Sequence, residues 1–76
     1  MKLSAIEKNK KYKVKSIEDS KYKVNILEFG IFPNQIIEFA FKAPLGGPIA
    51  ILTGDCMGNV IAISRKEADL VIVEEI

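Results

Sequence analysis

The sequence contains no histidine and no tryptophan, and its only cysteine is Cys56. Without imidazole, the chain lacks the commonest metal ligand and the commonest general base near neutral pH. Ser-His-Asp triads, histidine-containing zinc fingers and His-Glu-x-x-His zinc sites are therefore excluded. A single cysteine cannot form a disulfide within the chain, which favours a reducing, cytoplasmic compartment.

Long apolar runs are also lacking. The longest stretch without charge, residues 43–54, is interrupted by prolines and glycines, whereas a membrane span needs about 20 apolar residues. The first residues form no apolar signal segment, so we expect neither membrane insertion nor export. Hydrophobic residues make up 49% of the chain, against five glycines and three prolines. This composition predicts a packed globule, and 76 residues predict a single domain over 1–76.

The charge is small in total but unevenly spread. The net charge is +1, yet residues 1–23 hold eight lysines and three acids, a balance of +5, while residues 24–76 have a balance of −4. The first third of the chain therefore predicts a basic face, which suits an acidic protein surface, an anionic membrane surface or nucleic acid.

Hydrophobic periodicity predicts the first elements. Residues 10–17 alternate Tyr12, Val14 and Ser16 with lysines, as in a half-buried strand, and Ile17 breaks the alternation, which indicates a bulge or the strand end. Residues 21–30 fit either a strand or a short helix. We favour the helix because Ser20 or Asp19 can cap its start and Gly30 can end it. Residues 32–35, Phe-Pro-Asn-Gln, have the composition of a β-turn.

The rest of the chain is mainly strand-like. Residues 36–43 predict a strand with Ile37, Phe39, Phe41 and Ala43 on one face. The turn at 44–48 follows, and residues 49–53 and 59–63 predict a hairpin. Ser-Arg-Lys-Glu at 64–67 has the form of a capping box that begins a short helix, and the apolar residues 70–73 predict a last strand.

In a chain of five short strands and two brief helices, the edge strands must be kept from pairing with other chains, and the apolar faces must be buried around one centre. Closing the sheet into a small barrel achieves both. The sequence therefore predicts a mainly β fold, a five-stranded SH3-like small barrel with two short helices, with an OB-like barrel as the alternative.

Three segments resemble one protein family. Leu27-Glu28-Phe29-Gly30-Ile31-Phe32-Pro33-Asn34 resembles the Leu-x-x-Leu-Gly-hydrophobic-x-Pro-Gly stretch of the FeoA family. Residues 43–49 resemble its Ala-Pro-Leu-Gly-(Asp/Gly)-Pro-Ile loop, and residues 58–68 resemble its Gly-x-x-(Ile/Leu)-Ala-Leu-Arg-(Lys/Arg)-x-Glu-Ala ending. The departures are Asn34 in place of Gly, Ser64 in place of Arg, and a longer connection at residues 54–58.

The resemblance implies an SH3-like fold and a cytoplasmic accessory protein of bacterial ferrous iron transport. Such a protein is thought to act on the membrane transporter FeoB, whose cytoplasmic part contains a GTP-binding domain. The same module is found as the C-terminal domain of DtxR-like repressors, but this sequence has no helix-turn-helix part ahead of it. We therefore expect a non-enzymatic protein that binds and modulates FeoB, without a cofactor.

Partner contacts are predicted at two places. The stiff loop at 44–48 offers an apolar tip, and the end of the first helix offers apolar side chains beside the barrel. The predicted partner-binding residues are Leu27, Phe29, Ile31, Pro44, Leu45, Gly46, Gly47 and Pro48. Asp55, Cys56 and Met57 could contribute to a site for a soft metal ion, but such a site needs three or four ligands and the sequence offers no histidine or second cysteine. We therefore expect the side chains of Cys56 and Met57 to pack against one end of the barrel. No metal site and no catalytic residue is predicted.

A nucleic-acid-binding or regulatory barrel, similar to the DtxR C-terminal domain, is the alternative function. Lysines around Tyr12 and Tyr22 interleave cations with aromatic rings, as in single-stranded nucleic-acid platforms. The same alternation turns Tyr12 inward, which makes it a core residue and favours a protein partner.

Overall fold

A computed structural model describes residues 1–76 apart from the side chain of Asp55. Five strands form one antiparallel sheet in the order β4-β3-β2-β1-β5. The strands are β1 Lys11–Ile17, β2 Ile36–Lys42, β3 Ile49–Thr53, β4 Asn59–Ile63 and β5 Val71–Glu75. Two short helices, α1 Lys23–Glu28 and α2 Arg65–Ala68, and two 3-10 turns, Leu3–Ala5 and Asp55–Met57, connect them. The first 3-10 turn was not predicted from the sequence.

Strand β1 shows the predicted alternation only as far as Val14. Tyr12 and Val14 are fully buried, and the pairing with β5 then shifts register between Val14 and Ser16. This bulge exposes Ser16 and buries Ile17, so the expectation that Ser16 shares the face of Tyr12 was wrong. An extra residue in one strand reverses the side-chain alternation beyond it.

The ambiguous segment at 21–30 is a helix, as predicted, although α1 is shorter than expected. The Ser20 hydroxyl accepts a hydrogen bond from the Tyr22 amide at 3.1 Å, in the turn just before the helix. The N-cap of α1 is Tyr22, which makes no side-chain capping bond, so the expectation that Ser20 or Asp19 caps the helix was wrong. At the other end Gly30 has φ +99°, and Gly30 N–H and Ile31 N–H donate to the carbonyls of Leu27 and Ile26. These two bonds form the Schellman arrangement, which ends a helix at a left-handed glycine.

The turn and strand that follow were predicted except for one side chain. Asn34 has φ 73°, and the Gln35 N–H donates to the Phe32 carbonyl, as in a type II turn. In β2, Ile37 is fully buried, but the pairing with β3 shifts register between Phe39 and Phe41. Phe41 is consequently exposed, and the prediction that it shares the buried face was wrong.

The C-terminal third follows the predicted pattern closely. Strands β3 and β4 form the expected hairpin. In the capping box the Ser64 hydroxyl accepts from the Glu67 amide, and the Glu67 carboxylate accepts from the Ser64 amide. Strand β5 extends beyond the apolar residues to Glu75, because Glu74 and Glu75 pair with Lys13 and Tyr12 of β1.

The core is shared by the sheet, α1 and the first 3-10 turn. Its largest fully buried side chains are Tyr12, Leu3, Ile26, Ile31, Ile37, Ile49, Ile51, Val14, Val71 and Val73. Every strand except β4 contributes to this group, and β4 adds Ile63, which is almost fully buried. The sheet and α1 therefore share one apolar centre.

Candidate partner-binding site

The loop at 44–48 is a tight turn with an apolar tip. The Gly47 N–H donates to the Pro44 carbonyl at 3.2 Å, and Leu45 and Gly46 between them have φ 59° and 75°. Two successive positive φ values are typical of a type I′ turn, which suits the twist of the flanking strands. The Ala43 N–H donates to the Pro48 carbonyl at 2.9 Å and closes the base of the loop. Leu45 is fully exposed at the tip.

The end of α1 exposes two of the three side chains that we predicted there. Leu27 and Phe29 are 41% and 45% exposed. Ile31 is fully buried, because the Schellman turn directs the chain back under the helix and into the core. Ile31 therefore stabilises the helix end from within, and a direct contact with a partner is not available to it.

The two predicted regions lie at opposite ends of strand β3. The loop at 44–48 leads into Ile49, at the start of the strand, while the end of α1 faces Thr53 and Gly54, at its other end. Four steps along a strand span about 13 Å. The fold therefore separates the two regions instead of combining them into one compact patch.

An open groove of about 350 Å³ lies between the end of α1 and the β3–β4 hairpin. Its walls are mostly apolar, with the aromatic rings of Phe29 and Phe32 on one side and Ile61 on the other. The lining residues are Phe29, Gly30, Phe32, Gln35, Thr53, Gly54, Asn59 and Ile61. Of these, only Phe29 was predicted as a binding residue. A phenylalanine just before a turn proline, as Phe32 is, was the signal available in the sequence, because the turn holds its ring outside the core.

Gln35, Thr53 and Asn59 form the polar part of the groove, and Gln35 is bonded to the helix end. Its side-chain NH₂ group donates to the Gly30 carbonyl at 2.8 Å and ties the turn to the helix end. The Gln35 Oε1 atom is buried and accepts no hydrogen bond. A buried acceptor without a donor is unfavourable by about 1–3 kcal/mol, so it marks a place where an incoming donor would add stability.

The segment after β3 differs from expectation. Cys56 is a free, exposed cysteine and Met57 is half-buried, so the expectation that both sulfurs pack against a barrel end was wrong for Cys56. Cys56 and Met57 have φ 57° and 54°, which turn the chain outward at this point. The side chain of Asp55 lies outside the described residues. Among the side chains that the structure describes, no three His, Cys, Asp or Glu residues are grouped to hold a metal ion.

The basic face predicted for residues 1–23 is partly neutralised. The Lys15 Nζ atom lies 3.4 Å from a carboxylate oxygen of Glu74. The Lys10 Nζ atom lies 2.9 Å from a carboxylate oxygen of Glu7 and 3.5 Å from one of Glu75. The Glu7 carboxylate, by hydrogen bond and by charge, raises the pKa of Lys10 above its ordinary value, and Glu75 adds to this. Tyr12 is fully buried, as expected for a core residue. Burial of Tyr12 weakens the nucleic-acid alternative, which uses exposed rings, whereas Tyr22 is only half-buried, with Lys21 Nζ 5.3 Å from the centre of its ring.

Comparison with known proteins identifies the family. The model of the FeoA domain matches residues 1–75. The chain belongs to the FeoA family. Iron(II) transport protein A from Clostridium thermocellum is 32% identical, with a TM-score of 0.87 over 100% of this chain and 46% of that chain. The FeoA-like protein from Clostridium acetobutylicum is 31% identical, with a TM-score of 0.85 over 100% of this chain and 86% of that one. No curated protein sequence matches the chain.

A further FeoA structure confirms the predicted fold class. The zinc complex of FeoA from Stenotrophomonas maltophilia, described as an SH3 domain protein, is 23% identical and has a TM-score of 0.77 over 97% of this chain and 89% of that one. The fold is therefore mainly β and SH3-like, as predicted. This chain spans less than half the length of the C. thermocellum protein but most of the other two. No described helix is long and apolar enough to cross a membrane.

Proposed function

We propose that this FeoA-family protein is a non-enzymatic, cytoplasmic accessory factor of bacterial ferrous iron uptake that binds the cytoplasmic part of the transporter FeoB. The family match over residues 1–75 is the observation that carries the proposal. The relative from C. thermocellum, which is named iron(II) transport protein A, supports the same process. The C. thermocellum chain is about twice as long, so we infer only the process, ferrous iron transport, from it and not its complete activity.

Exposed apolar side chains support a role in protein binding. Large hydrophobic side chains are exposed on α1, on the turn after it, and at the tip of the loop at 44–48. Isolated apolar residues are ordinary on protein surfaces, whereas grouped ones mark contact sites. Phe29 and Phe32 line one groove and form such a group. Leu27 is exposed on α1 but is not among the residues that line the groove, and Leu45 is a single anchor at the other end of β3.

Binding alone is sufficient for the proposed modulation. A protein that contacts one conformation of a transporter more strongly than another shifts the population toward the first. A tenfold difference in affinity between two states corresponds to about 1.4 kcal/mol, which two or three buried apolar side chains supply. We therefore infer that the loop at 44–48, with Leu45 at its tip, and the exposed side chains of Leu27 and Phe29 at the end of α1 act by contact.

The decisive measurement is binding of purified protein to the soluble cytoplasmic domain of FeoB, by pull-down and by titration. Leu45→Asp tests the loop and Leu27→Asp tests the helix end, while Ile76→Asp is the matched control, because Ile76 is also an exposed apolar side chain. We expect at least about tenfold weaker binding for a residue that anchors the contact. Unchanged binding by both test variants would remove both predicted regions from the interface.

A cellular experiment tests the process itself. Deleting the gene in its host is expected to lower ferrous iron uptake, and the wild-type gene is expected to restore it. If the Ile76→Asp variant restores ferrous iron uptake and a variant that fails to bind FeoB does not, uptake depends on the contact with FeoB. Normal uptake in the deletion strain would contradict the proposed function.

A further inference from the structure

The two edges of the sheet are protected to different degrees. Edge strand β5 is covered by the first residues of the chain, because Met1 exchanges main-chain hydrogen bonds of 2.8 and 2.9 Å with Val73, and Lys2 bridges to Ile72. Edge strand β4 pairs with β3 on one side. Among the main-chain hydrogen bonds of the described residues, none joins β4 to a segment other than β3.

The open edge also lacks the usual protective side chains. Natural proteins discourage strand addition with charges, prolines, bulges or very short strands at an edge. Strand β4, Asn-Val-Ile-Ala-Ile, has no charge and no proline, and its pairing with β3 runs without a register shift over all five residues. Strand β5 ends in two glutamates. An edge that is both open and uncharged is competent to pair with another extended segment.

The groove borders this open edge. Asn59 and Ile61, two residues apart in β4, both line the groove, and Phe29 and Phe32 form its far wall. Successive side chains of a strand point to opposite faces, so a segment paired with β4 would direct alternate side chains toward the groove. The groove holds about 350 Å³, enough for one large aromatic side chain and part of a neighbour.

Gln35 indicates which side chain fits there. Its Oε1 atom is buried at the groove wall and has no donor, although the other end of the same amide is bonded to Gly30. Tryptophan and tyrosine combine a large apolar ring with an N–H or O–H donor at its tip. Because Oε1 is shielded from solvent, the donor reaches it after a side-chain rearrangement of the kind that is common at interfaces.

We propose that the open edge of β4 and the adjoining groove together bind an extended segment of a partner protein by strand addition, with a tryptophan or tyrosine of that segment in the groove. Main-chain hydrogen bonds to β4 supply affinity, and the groove supplies specificity. The inference rests on the proposed function: it specifies which kind of partner segment would bind beside the end of α1.

A second copy of the chain is a poorer occupant than a partner segment. Five residues span about 17 Å, and a sheet is about 10 Å thick, so pairing of two β4 strands would cover roughly 170 Å² on each copy. Specific protein dimers bury about 800 Å² on each partner. An extended segment that pairs with β4 covers a similar edge area and does not need the roughly 800 Å² of a stable dimer, because it adds the groove of about 350 Å³ to the contact.

The test uses the full chain, labelled with ¹⁵N, and blocked synthetic pentapeptides. The probe is acetyl-Thr-Val-Trp-Val-Thr-amide, and a peptide with 3-benzothienylalanine in place of Trp keeps the ring size and lacks only the N–H donor. We expect amide shifts in β4 and at Gly30 and Gly54, with none in β5. The Trp peptide should bind about twofold to tenfold more tightly than the benzothienylalanine peptide, the range for one neutral hydrogen bond. No shift, or shifts confined to other elements, would overturn the proposal.

Backbone N-methylation separates strand addition from simple ring insertion. Alternate N–H groups of a strand point to its two opposite edges. Methylation of both valine nitrogens therefore removes the hydrogen bonds at one edge of the peptide, and methylation of the tryptophan nitrogen removes a hydrogen bond at the other edge. We expect one of the two peptides to keep its affinity and the other to lose at least tenfold. Equal binding of both methylated peptides and the parent would contradict strand addition.

Protein variants complete the test. Phe32→Ala is expected to weaken binding of the Trp peptide at least fivefold, whereas Phe41→Ala, the same change at a similarly exposed site on β2, should have no effect. Gln35→Met is expected to abolish the preference for Trp over benzothienylalanine, with folding checked by the amide spectrum. Self-association that shifts the same β4 amides without peptide would favour the second copy. Because these measurements need no transporter, peptide binding without FeoB binding would contradict the proposed function alone.

Discussion

Leu45 has an unusual backbone conformation for a leucine. It lies in the left-handed region with φ 59°, and its side chain is fully exposed, so no packing compensates for the strain. A non-glycine residue in this region is disfavoured by about 1–2 kcal/mol, and asparagine less so. Conformational strain of this kind persists most often where function requires the side chain.

We therefore expect Leu45→Asn to raise the free energy of unfolding by about 1 kcal/mol while lowering affinity for the FeoB domain. Chemical denaturation and the binding titration measure the two effects separately. Asn34→Ala is the reciprocal control, because Asn34 has φ 73° and its replacement is expected to destabilise the protein. A less stable Leu45→Asn variant would show that the left-handed conformation does not oppose stability.

Lys10 offers a second test at a single residue. Its pKa is raised chiefly by the hydrogen bond and charge of Glu7, with a contribution from Glu75. Its contribution to stability is therefore present below the unfolded-state value near 10.5 and is lost as pH rises through the higher folded-state value. We expect Glu7→Gln to lower the pKa of Lys10 in an NMR titration. An unchanged value would assign the shift to Glu75, which Glu75→Gln then checks.

The sequence predicted single side chains well until a bulge intervened. Tyr12 and Val14 follow the alternation, whereas Ser16, Ile17 and Phe41 depart from it. In each case the shift arises where the strand pairs with a partner distant in the chain, β5 or β3. The break in alternation at Ile17 indicated the irregularity in β1, as the register shift between Val14 and Ser16 confirms. In β2 the alternation continues through Phe41, so local periodicity, which does not contain the pairing register, gave no sign of the shift there.

At the level of elements, helix ends were more informative than helix interiors. Helix α2 has only four residues, too few for intrinsic helix stability, and depends on its capping box. Helix α1 was likewise predicted from its ends rather than from its ambiguous periodicity, and of these Gly30 is confirmed as the helix terminator, whereas Ser20 bonds only within the preceding turn. The signals at helix ends are local hydrogen bonds within a few residues, which is why the sequence reveals them.

We expect Ser64→Ala to lower the free energy of unfolding by about 1 kcal/mol, because it removes the acceptor for the Glu67 amide. Lys66→Ala, an exposed substitution in the same helix, serves as the control and should change stability by less than about 0.5 kcal/mol. Hydrogen exchange at Glu67 is expected to become faster in Ser64→Ala alone. Equal stability of the two variants would mean that packing, not capping, holds α2 in place.

The groove was not predicted, and the reason is topological. It joins the end of α1, the following turn and the β3–β4 hairpin, which are separated by up to about 30 residues in sequence. Each contributes one or two unremarkable residues, such as Asn59 or Thr53. Only the tertiary arrangement shows that they line one space, whereas the loop at 44–48 was visible as a contiguous motif.

For the molecule as a whole, one apolar centre determines stability. Ile51 is fully buried at the centre of β3, a strand paired on both sides. We expect Ile51→Val to lower the free energy of unfolding by about 1 kcal/mol and Ile51→Ala by about 2–5 kcal/mol. In a domain of this size 1 kcal/mol lowers Tm by about 4–8 °C, which calorimetry resolves. Val60→Ala, at an exposed position of β4, should have little effect, and an equal loss there would contradict a single shared core.

The unequal edges of the sheet have a consequence for crowded solutions. Fibres grow when a molecule presents one free strand and a complementary free strand elsewhere, so that each arrival leaves a place for the next. Here the chain's own first two residues occupy one of those positions, at Ile72 and Val73. A β4 strand that met its counterpart on another molecule would use up both free strands at once, and growth would stop there. The native protein is therefore expected to resist polymerisation even at concentrations at which the β4 edges of two molecules pair.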